Sequence, residues 1–382
     1  MIASDGSPTM LDAVQRVRVE GFKSLRTVDI QLGAINVLIG ANGAGKSNFL
    51  SIFRMLNALT ERRLQLFVQS QGGGSAMLHY GSKQTPRLAV ALEFLSDTGT
   101  NRYELELTHV APDRLIFADE RLSFQRRGSR PREYDLLGGH DESRLDEAMR
   151  ESGPKGSTAS FVRFRLVRWR SYHFHDTSDQ AAVKQYASTA DDRFLFPNAG
   201  NLAPFLHAIA WSDADSYEAI REAVRRAFPL FDDFVLDMSR ENPQRMLLRW
   251  RERGSMAEFG PHQLSDGTLR FICLATLLLQ PADHPNRPYT VTIDEPELGL
   301  HPYAVNILAS LLRLASRHMQ IVISTQSAAL LSAIGDPAAV VVVDRQDGAS
   351  VLRRLDPGEV EPWLEEYSLG NVWEKGVLGA TP

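Results

Sequence analysis

A glycine-rich loop between an apolar run and a helix-like stretch is the feature that most constrains this chain. It follows the run Ile35–Ile39 and reads Gly40-Ala41-Asn42-Gly43-Ala44-Gly45-Lys46-Ser47. Loop glycines let backbone N–H groups curl around a polyanion, and the positive end of the following helix points to the same place. Lys46 can then reach the outer phosphates, and Ser47 can ligate Mg²⁺. The pattern predicts a phosphate-binding loop, with a chance glycine-rich turn as the alternative.

Two carboxylates directly follow a second apolar run. Residues 289–293 lead into Asp294 and Glu295. An enzyme with such a phosphate loop needs a carboxylate near its metal, at the end of a neighbouring strand. We therefore predict Asp294 as a magnesium ligand and Glu295 as the general base that polarises the attacking water. A helix cap at the strand end is the alternative. The chain has no Asn-Lys-x-Asp sequence to read guanine, which argues against a GTPase.

A third motif opens an apolar helix that we predict over residues 264–279. It reads Leu264-Ser265-Asp266-Gly267-Thr268. Ser265 is a natural N-cap, Gly267 allows a ligand to approach the backbone, and a helix N-terminus favours an anion. Taken alone, the same pattern is typical of a capped, buried helix.

The order of the predicted elements indicates an α/β protein with a mostly parallel sheet. Period-two alternation predicts strands within 14–30 and at 87–94, 102–108 and 115–124. Helices are predicted at 201–211 and 215–228. In the last third, strands at 289–293, 320–324, 340–343 and 350–355 alternate with helices at 264–279, 303–316 and 327–333.

Two segments of the middle region have more than one interpretation. Residues 127–158 are rich in Gly, Ser, Pro and charge, which predicts a mobile excursion. Residues 161–170 are predicted to form a basic strand. Its arginines either contact nucleic acid or keep an exposed edge strand from aggregating, and they are Arg163, Arg165, Arg168 and Arg170. Next to it, His173, His175 and Asp176 are either metal ligands or part of a structural segment near the nucleotide.

Composition excludes several classes of protein. Lys+Arg is 42 and Asp+Glu is 47, so the net charge is −5 and nucleic-acid contact would need a local basic patch. Cys273 is the single cysteine, which excludes an internal disulfide and a multi-cysteine zinc site. No apolar run reaches about 18 residues, so we expect no membrane span and a cytoplasmic protein. Residues 1–12 lack the basic and apolar start of a secretion signal.

Together the motifs resemble the SMC-like, RecF/OLD-type ATPases of bacteria, which are ABC-class members of the AAA family. The resemblance extends over nearly the whole chain. It rests on residues 21–25, 40–47, 172–177, 264–268, 294–302, 324–327 and 367–376. Asp266 replaces the first glycine of the family's Leu-Ser-Gly-Gly signature, a departure also familiar in this branch. The phosphate loop and the Asp-Glu block are specific to the superfamily, and the tail and the histidine-rich segment point to the subgroup.

The resemblance implies a P-loop NTPase with an ABC/SMC-type head, a mixed sheet and an inserted α+β lobe. Residues 13–95 would form the first part of the ATPase lobe, 96–255 the inserted lobe, and 256–382 the last part. The implied cofactors are ATP and Mg²⁺, with Ser47 and Asp294 as metal ligands. The residues implied to hold the nucleotide are Asn42, Gly43, Ala44, Gly45, Lys46, Ser47, Asn48, Ser265, Asp266 and Gly267.

The resemblance also implies a homodimer that holds ATP between its subunits. The phosphate loop of one subunit would bind ATP, while Ser265 and Gly267 of the other close over the γ-phosphate. Residues 299–301 would cross the seam. Lys46, Glu295 and Gln326 would be catalytic, with Gln326 where relatives have the switch histidine. Glutamine can hydrogen-bond phosphate or water but cannot accept a proton near neutral pH.

Two features of related proteins are missing. The 218 positions from Ser47 to Ser265 show no heptad pattern for a coiled coil, and 56 residues follow Gln326, too few for a Toprim domain. We therefore expect a head that controls a separate effector, with a Toprim-like nuclease as one candidate. The expected setting is bacterial anti-phage defence or DNA maintenance. A transporter's nucleotide-binding subunit and an ATP-gated scaffold with little hydrolysis are the alternatives.

Overall fold

The computed structural model describes residues 13–379, so residues 1–12, in which we predict no secretion signal, lie outside it. Within the described range, no helix is long and apolar enough to cross a membrane. The strands are β1 (Val14–Phe22), β2 (Leu25–Gln31), β3 (Ile35–Ile39), β4 (Arg87–Ser96), β5 (Gly99–Val110), β6 (Arg114–Arg126), β7 (Arg132–Asp135), β8 (Trp169–Tyr172), β9 (Ala187–Ser188), β10 (Phe231–Val235), β11 (Arg245–Met246), β12 (Arg249–Glu252), β13 (Glu258–Phe259), β14 (Thr290–Asp294), β15 (Gln320–Ser324), β16 (Val340–Gln346) and β17 (Ala349–Arg354).

The helices are α1 (Lys46–Thr60), α2 (Leu64–Ser70), α3 (Gly74–Met77), α4 (Leu145–Met149), α5 (Pro154–Leu166), α6 (Leu202–Ser212), α7 (Ala214–Ala227), α8 (Asp266–Leu279), α9 (Pro302–Ala315), α10 (Ala328–Ile334), α11 (Pro357–Leu364) and α12 (Leu369–Glu374). Single 3₁₀ turns lie at Ala182–Lys184, Pro261–Gln263 and Pro337–Ala339. The strands predicted at 14–30, 87–94, 102–108 and 115–124 and the helices and strands predicted after residue 200 are confirmed, with ends shifted by a few residues.

Two six-stranded sheets organise the chain. Sheet I is antiparallel, in the order β2-β1-β4-β5-β6-β7. Sheet II has the order β17-β16-β3-β15-β14-β8, and all its neighbours pair in parallel except β16 and β17. The predicted mixed sheet is therefore confirmed. Because β3, β15, β14 and β8 are parallel, their carboxyl ends meet at one edge of sheet II, and the candidate site lies there.

Sheet II is buried on both faces, which explains why its strands are apolar runs rather than alternating ones. Val37 and Ile39 of β3 enter a core shared with α6–α10 and α12, whereas Leu38 between them enters the core shared with sheet I and α1. Helix α1 therefore packs between the two sheets. The end of α1 that follows the phosphate loop thus contacts the core between sheet I and sheet II through Phe49 and Leu50.

The middle region contains more regular structure than its composition predicts. Residues 127–158 hold β7, α4 and the start of α5, and Leu145 and Ala148 of α4 are buried in the core of sheet I. The second half of this segment therefore packs on sheet I, whereas residues 127–133 are exposed and their mobility stays a prediction. The Gly, Ser and Pro content marks the turns between its short elements.

The basic strand predicted at 161–170 is wrong. Residues up to Leu166 belong to helix α5, and the strand, β8, begins only at Trp169. Ala159, Val162 and Leu166 are fully buried at helical spacing. Their burial on one helical face outweighs the period-two alternation of arginine and apolar residues.

The predicted domain limits at 95/96 and 255/256 stay a prediction. Sheet pairing crosses the first limit, because β4 and β5 form one hairpin around residues 97–98. The predicted inserted lobe also supplies β8 to the edge of sheet II, next to β14. Three short strands, β10, β12 and β13, form a separate small sheet, and because β13 follows residue 255, sheet pairing crosses the second limit as well.

Candidate functional site

The phosphate loop connects β3 to α1 at the carboxyl edge of sheet II. Gly40 has a φ of 147°, and a Cβ there would lie 2.0 Å from the carbonyl oxygen of Val343 on β16. Only glycine fits this passage, because the loop presses against the neighbouring strand. Asn42 and Gly43 lie at the exposed apex, whereas Ala44 and Gly45 are buried.

Lys46 lies almost fully buried at the first position of α1. Its Nζ donates to the carbonyl oxygens of Gly40, at 2.5 Å, and Ala41, at 3.0 Å. Burial lowers the pKa of the Lys46 ammonium, while the nearby carboxylates, Glu295 foremost, act in the opposite direction. The side chain therefore places a cation inside the phosphate loop.

The two predicted metal ligands are adjacent. Ser47 Oγ donates to Asp294 Oδ2 at 2.9 Å, although 247 positions separate the two residues in sequence. Ser324 Oγ, at the end of β15, donates to the other carboxylate oxygen, Oδ1. A hydroxyl and a carboxylate are hard oxygen ligands of the kind that Mg²⁺ takes alongside phosphate oxygens. The residues present thus fit a magnesium ion that would neutralise charge on the phosphates.

Glu295 and Gln326 form a pair beside the metal ligands. Gln326 Nε2 donates to Glu295 Oε1. Glu295 has a φ of 45°, rare for a residue with a side chain, and its backbone N–H donates to Ser324 O at 2.9 Å. The backbone conformation at the end of β14 therefore sets the direction of the predicted base, and the amide holds its carboxylate.

A third carboxylate, Glu297, lies deeper and was not predicted. Thr325 Oγ1 donates to Glu297 Oε1 at 2.5 Å, while Glu297 Oε2 is buried without a partner among the described residues. Burial raises the pKa of Glu297, and the Thr325 hydrogen bond opposes that rise. Its place in the Asp-Glu-Pro-Glu block was the available sequence signal.

The signature turn faces solvent. Ser265 caps α8 by accepting from the backbone N–H of Thr268 at 3.2 Å, and both Ser265 and Asp266 are exposed. Gly267 is pressed against residues 299–301, since a Cβ there would lie 2.2 Å from the carbonyl oxygen of Gly299. A cavity of about 130 Å³ lies between the signature turn and residues 299–301.

The structure does not bring the two predicted halves of the nucleotide site together within one chain. In the described residues, no hydrogen bond joins residues 264–268 to residues 40–48. The structure places Lys46, Ser47, Asp294, Glu295 and Gln326 together. Ser265, Asp266 and Gly267 lie instead with the 298–301 loop.

One predicted nucleotide-binding residue and two residues outside the predicted site support the site structurally. Asn48, predicted to bind nucleotide, donates through Nδ2 to Ser24 Oγ at 2.7 Å, so it ties α1 to the turn between β1 and β2. Arg345 on β16 donates to Gly43 O at the loop apex, at 3.3 Å. Arg270 on α8 donates to three backbone carbonyls in two other segments. Arg345 and Arg270 carry no local motif, so sequence inspection could not single them out.

The predicted histidine cluster shows no metal-binding arrangement. His175 and Asp176 are exposed, and Asp176 Oδ1 accepts from the hydroxyl and backbone N–H of Ser178. No group of three or more His, Cys, Asp or Glu side chains in residues 13–379 is arranged to hold a metal ion. His173 follows β8, so it lies at the same sheet edge as Asp294.

The arginines of 163–170 are largely engaged in folding. Arg163 pairs with Asp146 of α4. Arg168 donates to the carbonyl oxygen of Pro285 and covers the ring of Phe164. Arg170 donates to two nearby backbone carbonyls, and Arg165 covers the ring of Phe161.

This arrangement is that of a P-loop NTPase, and comparison with known proteins identifies its family. Residues 35–332 match the family described as "AAA domain, putative AbiEii toxin, Type IV TA system", and the chain belongs to this family. A curated relative, urease accessory protein 2 of Cryptococcus neoformans var. grubii, is 28% identical over 128 residues. That match covers 32% of this chain and 10% of the length of the relative.

Among solved structures, SMC heads share this fold. An Smc head bound to the C-winged helix domain of ScpA superposes with a TM-score of 0.59 at 14% identity, covering 91% of this chain and 99% of that one. The Smc head with an extended coiled coil, bound to the C-terminal domain of ScpA from Pyrococcus furiosus, gives 0.53 at 14% identity, with 92% and 98% coverage. At such identities the similarity shows the fold alone.

Proposed function

We propose that this chain binds and hydrolyses ATP between two of its copies and uses the cycle to control a separate effector. The observation that carries the proposal is the 2.9 Å contact between Ser47 and Asp294, with Lys46 and Glu295 beside it. This is the set that phosphoryl transfer needs: a cation on the outer phosphates, two metal ligands and a base.

The proposed roles follow from the contacts. Lys46 lies inside the loop and exchanges its carbonyl partners for β- and γ-phosphate oxygens. Glu295 accepts the proton of the attacking water, and Gln326 orients its carboxylate. Ser47 and Asp294 would hold Mg²⁺, which spreads the negative charge of the phosphates when bound.

The proposed second copy is supported by what the signature turn lacks. Ser265 and Asp266 are exposed at a helix N-terminus that suits an anion, yet no hydrogen bond in the described residues ties them to their own phosphate loop. A two-fold dimer would satisfy both halves at once, because each copy then offers its signature turn to the other's phosphate loop.

The effector is proposed from the description of the family and from the similar Smc heads. The description of the family names a putative toxin and a Type IV TA system, which supports a role in controlling a harmful activity, as in anti-phage defence. The similar Smc heads bind ScpA, which supports a protein partner for this head as well. A Toprim-like nuclease is the candidate we propose to test first, by co-purification and mass spectrometry.

Nucleic-acid binding through residues 163–170 forms no part of this proposal. One of the four arginines pairs with a carboxylate, two donate to backbone carbonyls and the fourth covers a ring, so each of them already has a partner within the fold.

The test mixes two inactive variants. Ser265→Arg places bulk and charge where the partner's γ-phosphate would lie, and Lys46→Ala removes the loop cation. Each alone should be inactive, and an equal mixture should regain about a quarter of the wild-type rate, since half of the dimers keep one complete site. If mixing restores nothing, the shared site is rejected unless a crosslink forms.

The crosslink joins Asn42→Cys to Ser265→Cys across the seam, and both positions are exposed. Cys273 can stay, because it is buried and burial raises the pKa of its thiol. A bond that forms only with ATP supports the sandwich. A bond with no measurable turnover would favour the ATP-gated scaffold.

A further inference from the structure

One half-buried cation connects the signature helix to two loops that contain no regular secondary structure. Arg270, in the second turn of α8, donates through Nε to Phe174 O at 3.0 Å, through Nη2 to His175 O at 2.9 Å, and through Nη1 to Leu298 O at 2.9 Å. Within residues 13–379, no ion pair to a carboxylate is found for Arg270. All three of its nitrogens donate to backbone carbonyls.

Arg270 contacts the first of these loops, residues 298–301, from below. Leu298 and Leu300 make local turn bonds to Glu295 and Glu297, at 3.2 and 3.0 Å. A Cβ at Gly299 would lie 2.9 Å from Arg270 Nη1, so the guanidinium lies directly under the loop. The same loop presses on Gly267, so Arg270 and the signature turn hold it from two sides.

The second loop, residues 173–177, contains no helix or strand. Two consecutive carbonyls of this loop accept from one guanidinium, which fixes its direction after β8. Because β8 lies beside β14, this loop starts at the edge of sheet II that holds Asp294. Arg270 therefore joins the signature helix to both loops that follow β8 and β14.

We propose that Arg270 is a positioning residue that pre-assembles the surface one copy offers to the ATP of the other. This inference rests on the proposed function above. Arginine suits the role because its planar fork presents five donors in fixed directions, whereas lysine has one nitrogen and cannot reach three separated carbonyls. Without Arg270, the 298–301 loop and the 173–177 loop lose their shared anchor, while the phosphate loop keeps all of its own contacts.

The first experiment separates ATP binding from turnover. Arg270→Met keeps the length of the side chain and removes every donor. We expect its affinity for ATP, measured on the full chain with a fluorescent analogue at low protein concentration, to stay within about 3-fold of wild type. We expect kcat to fall by about 10- to 100-fold, the scale of misplaced catalytic groups. Arg270→Lys should recover part of that loss, and Arg317→Met, an exposed arginine after α9, is the matched control.

The second experiment asks in which subunit Arg270 acts. Arg270→Met is mixed with Lys46→Ala, with Ser265→Arg plus Lys46→Ala run in parallel. The mixed dimer keeps one site built from the intact phosphate loop of the first variant and the intact signature surface of the second. Partial recovery in both mixtures supports the proposal.

Other outcomes reject it. Wild-type kcat in Arg270→Met overturns the positioning role. Loss of ATP binding in both Arg270→Met and Arg270→Lys means that the residue serves folding alone. Recovery with Ser265→Arg but not with Arg270→Met rejects this inference and leaves the shared site standing. Recovery in neither mixture, with no crosslink, rejects both.

Discussion

The two halves of the proposed site differ in how completely one chain satisfies them. The phosphate-loop face comprises residues 40–48, 294–297 and 324–326, and its polar groups bond to one another. The signature face comprises residues 265–268 and 298–301, and it exposes Ser265 and Asp266 beside a cavity of about 130 Å³. The polar groups of the first face have partners within the same chain, whereas Ser265 and Asp266 of the second face are exposed to solvent. This difference is expected of a site that a second copy completes.

The physical origin of this difference lies in the scaffolds. The phosphate-loop face is built on the ends of parallel strands whose hydrogen bonds fix their register. The signature face is built on a helix N-terminus and a loop held by Arg270 and by the contact of Gly267 with Gly299. Changes to the first face should therefore abolish function in the same subunit, and changes to the second should act on the partner.

The largest effect is expected from Lys46→Ala. It removes the cation inside the loop, so ATP binding should weaken and hydrolysis should fall by about 10²–10³-fold or more. Isothermal titration with ATP and a phosphate-release assay measure both. Lys83→Ala, an exposed lysine between α3 and β4, should behave as wild type. Unchanged turnover in Lys46→Ala would show that the phosphate loop is not the site.

Glu295→Gln should separate binding from chemistry on the same face. The amide keeps the shape of the carboxylate but cannot accept a proton, so turnover should fall by about 10²-fold with ATP binding retained. Light scattering with ATP and magnesium should then show a persistent dimer. Glu365→Gln, exposed near the C-terminus, is the control. Hydrolysis at the wild-type rate would place the base elsewhere.

Gly267→Ala tests the open face with a single methyl group. Its Cβ would lie 2.2 Å from Gly299 O, so the 298–301 loop must move away from the signature turn. We expect the free energy of unfolding to fall by about 1–3 kcal/mol and kcat to fall by about 10-fold, with the affinity for ATP unchanged. Mixing with Lys46→Ala should restore activity. A fall in ATP affinity instead would mean that the two faces are not independent.

The smallest effect concerns the buried carboxylate of the closed face. Burial raises the pKa of Glu297, so the folded chain keeps its proton at pH values where the unfolded chain has lost it. Stability therefore falls as pH rises from the ordinary glutamate pKa to the raised one. Glu297→Gln removes that loss while its carbonyl can still accept from Thr325.

Thermal unfolding of the nucleotide-free protein measures this difference. Glu297→Gln should melt about 2 °C higher than wild type at pH 8, with the gap closing near pH 4. A lower melting temperature at pH 8 would show that the ionised carboxylate stabilises the fold, and Glu297 would then belong with the charged groups of the site.

Local patterns predicted much of the fold but failed where two periods overlapped. Strands β1, β2 and β4 to β6 alternate between apolar and polar residues, and their predicted positions are confirmed. Residues 161–166 alternate in the same way but form part of α5, because Ala159, Val162 and Leu166 are buried at helical spacing. The burial that decided between the two periods comes from sheet I, which no local pattern contains.

The phosphate loop, the carboxylates after β14 and the signature turn could be predicted from sequence because each is a short run whose backbone serves one chemical task. What brings Ser47 within 2.9 Å of Asp294 is the parallel pairing of β3, β15 and β14, which joins residues 247 positions apart. The positive φ of Glu295, the buried Glu297 and the three carbonyls on Arg270 depend on neighbours from distant segments. Sequence determined which groups this protein has for phosphate chemistry, and the tertiary structure decided which of them meet, because contact between distant segments is set by sheet register and packing rather than by spacing along the chain.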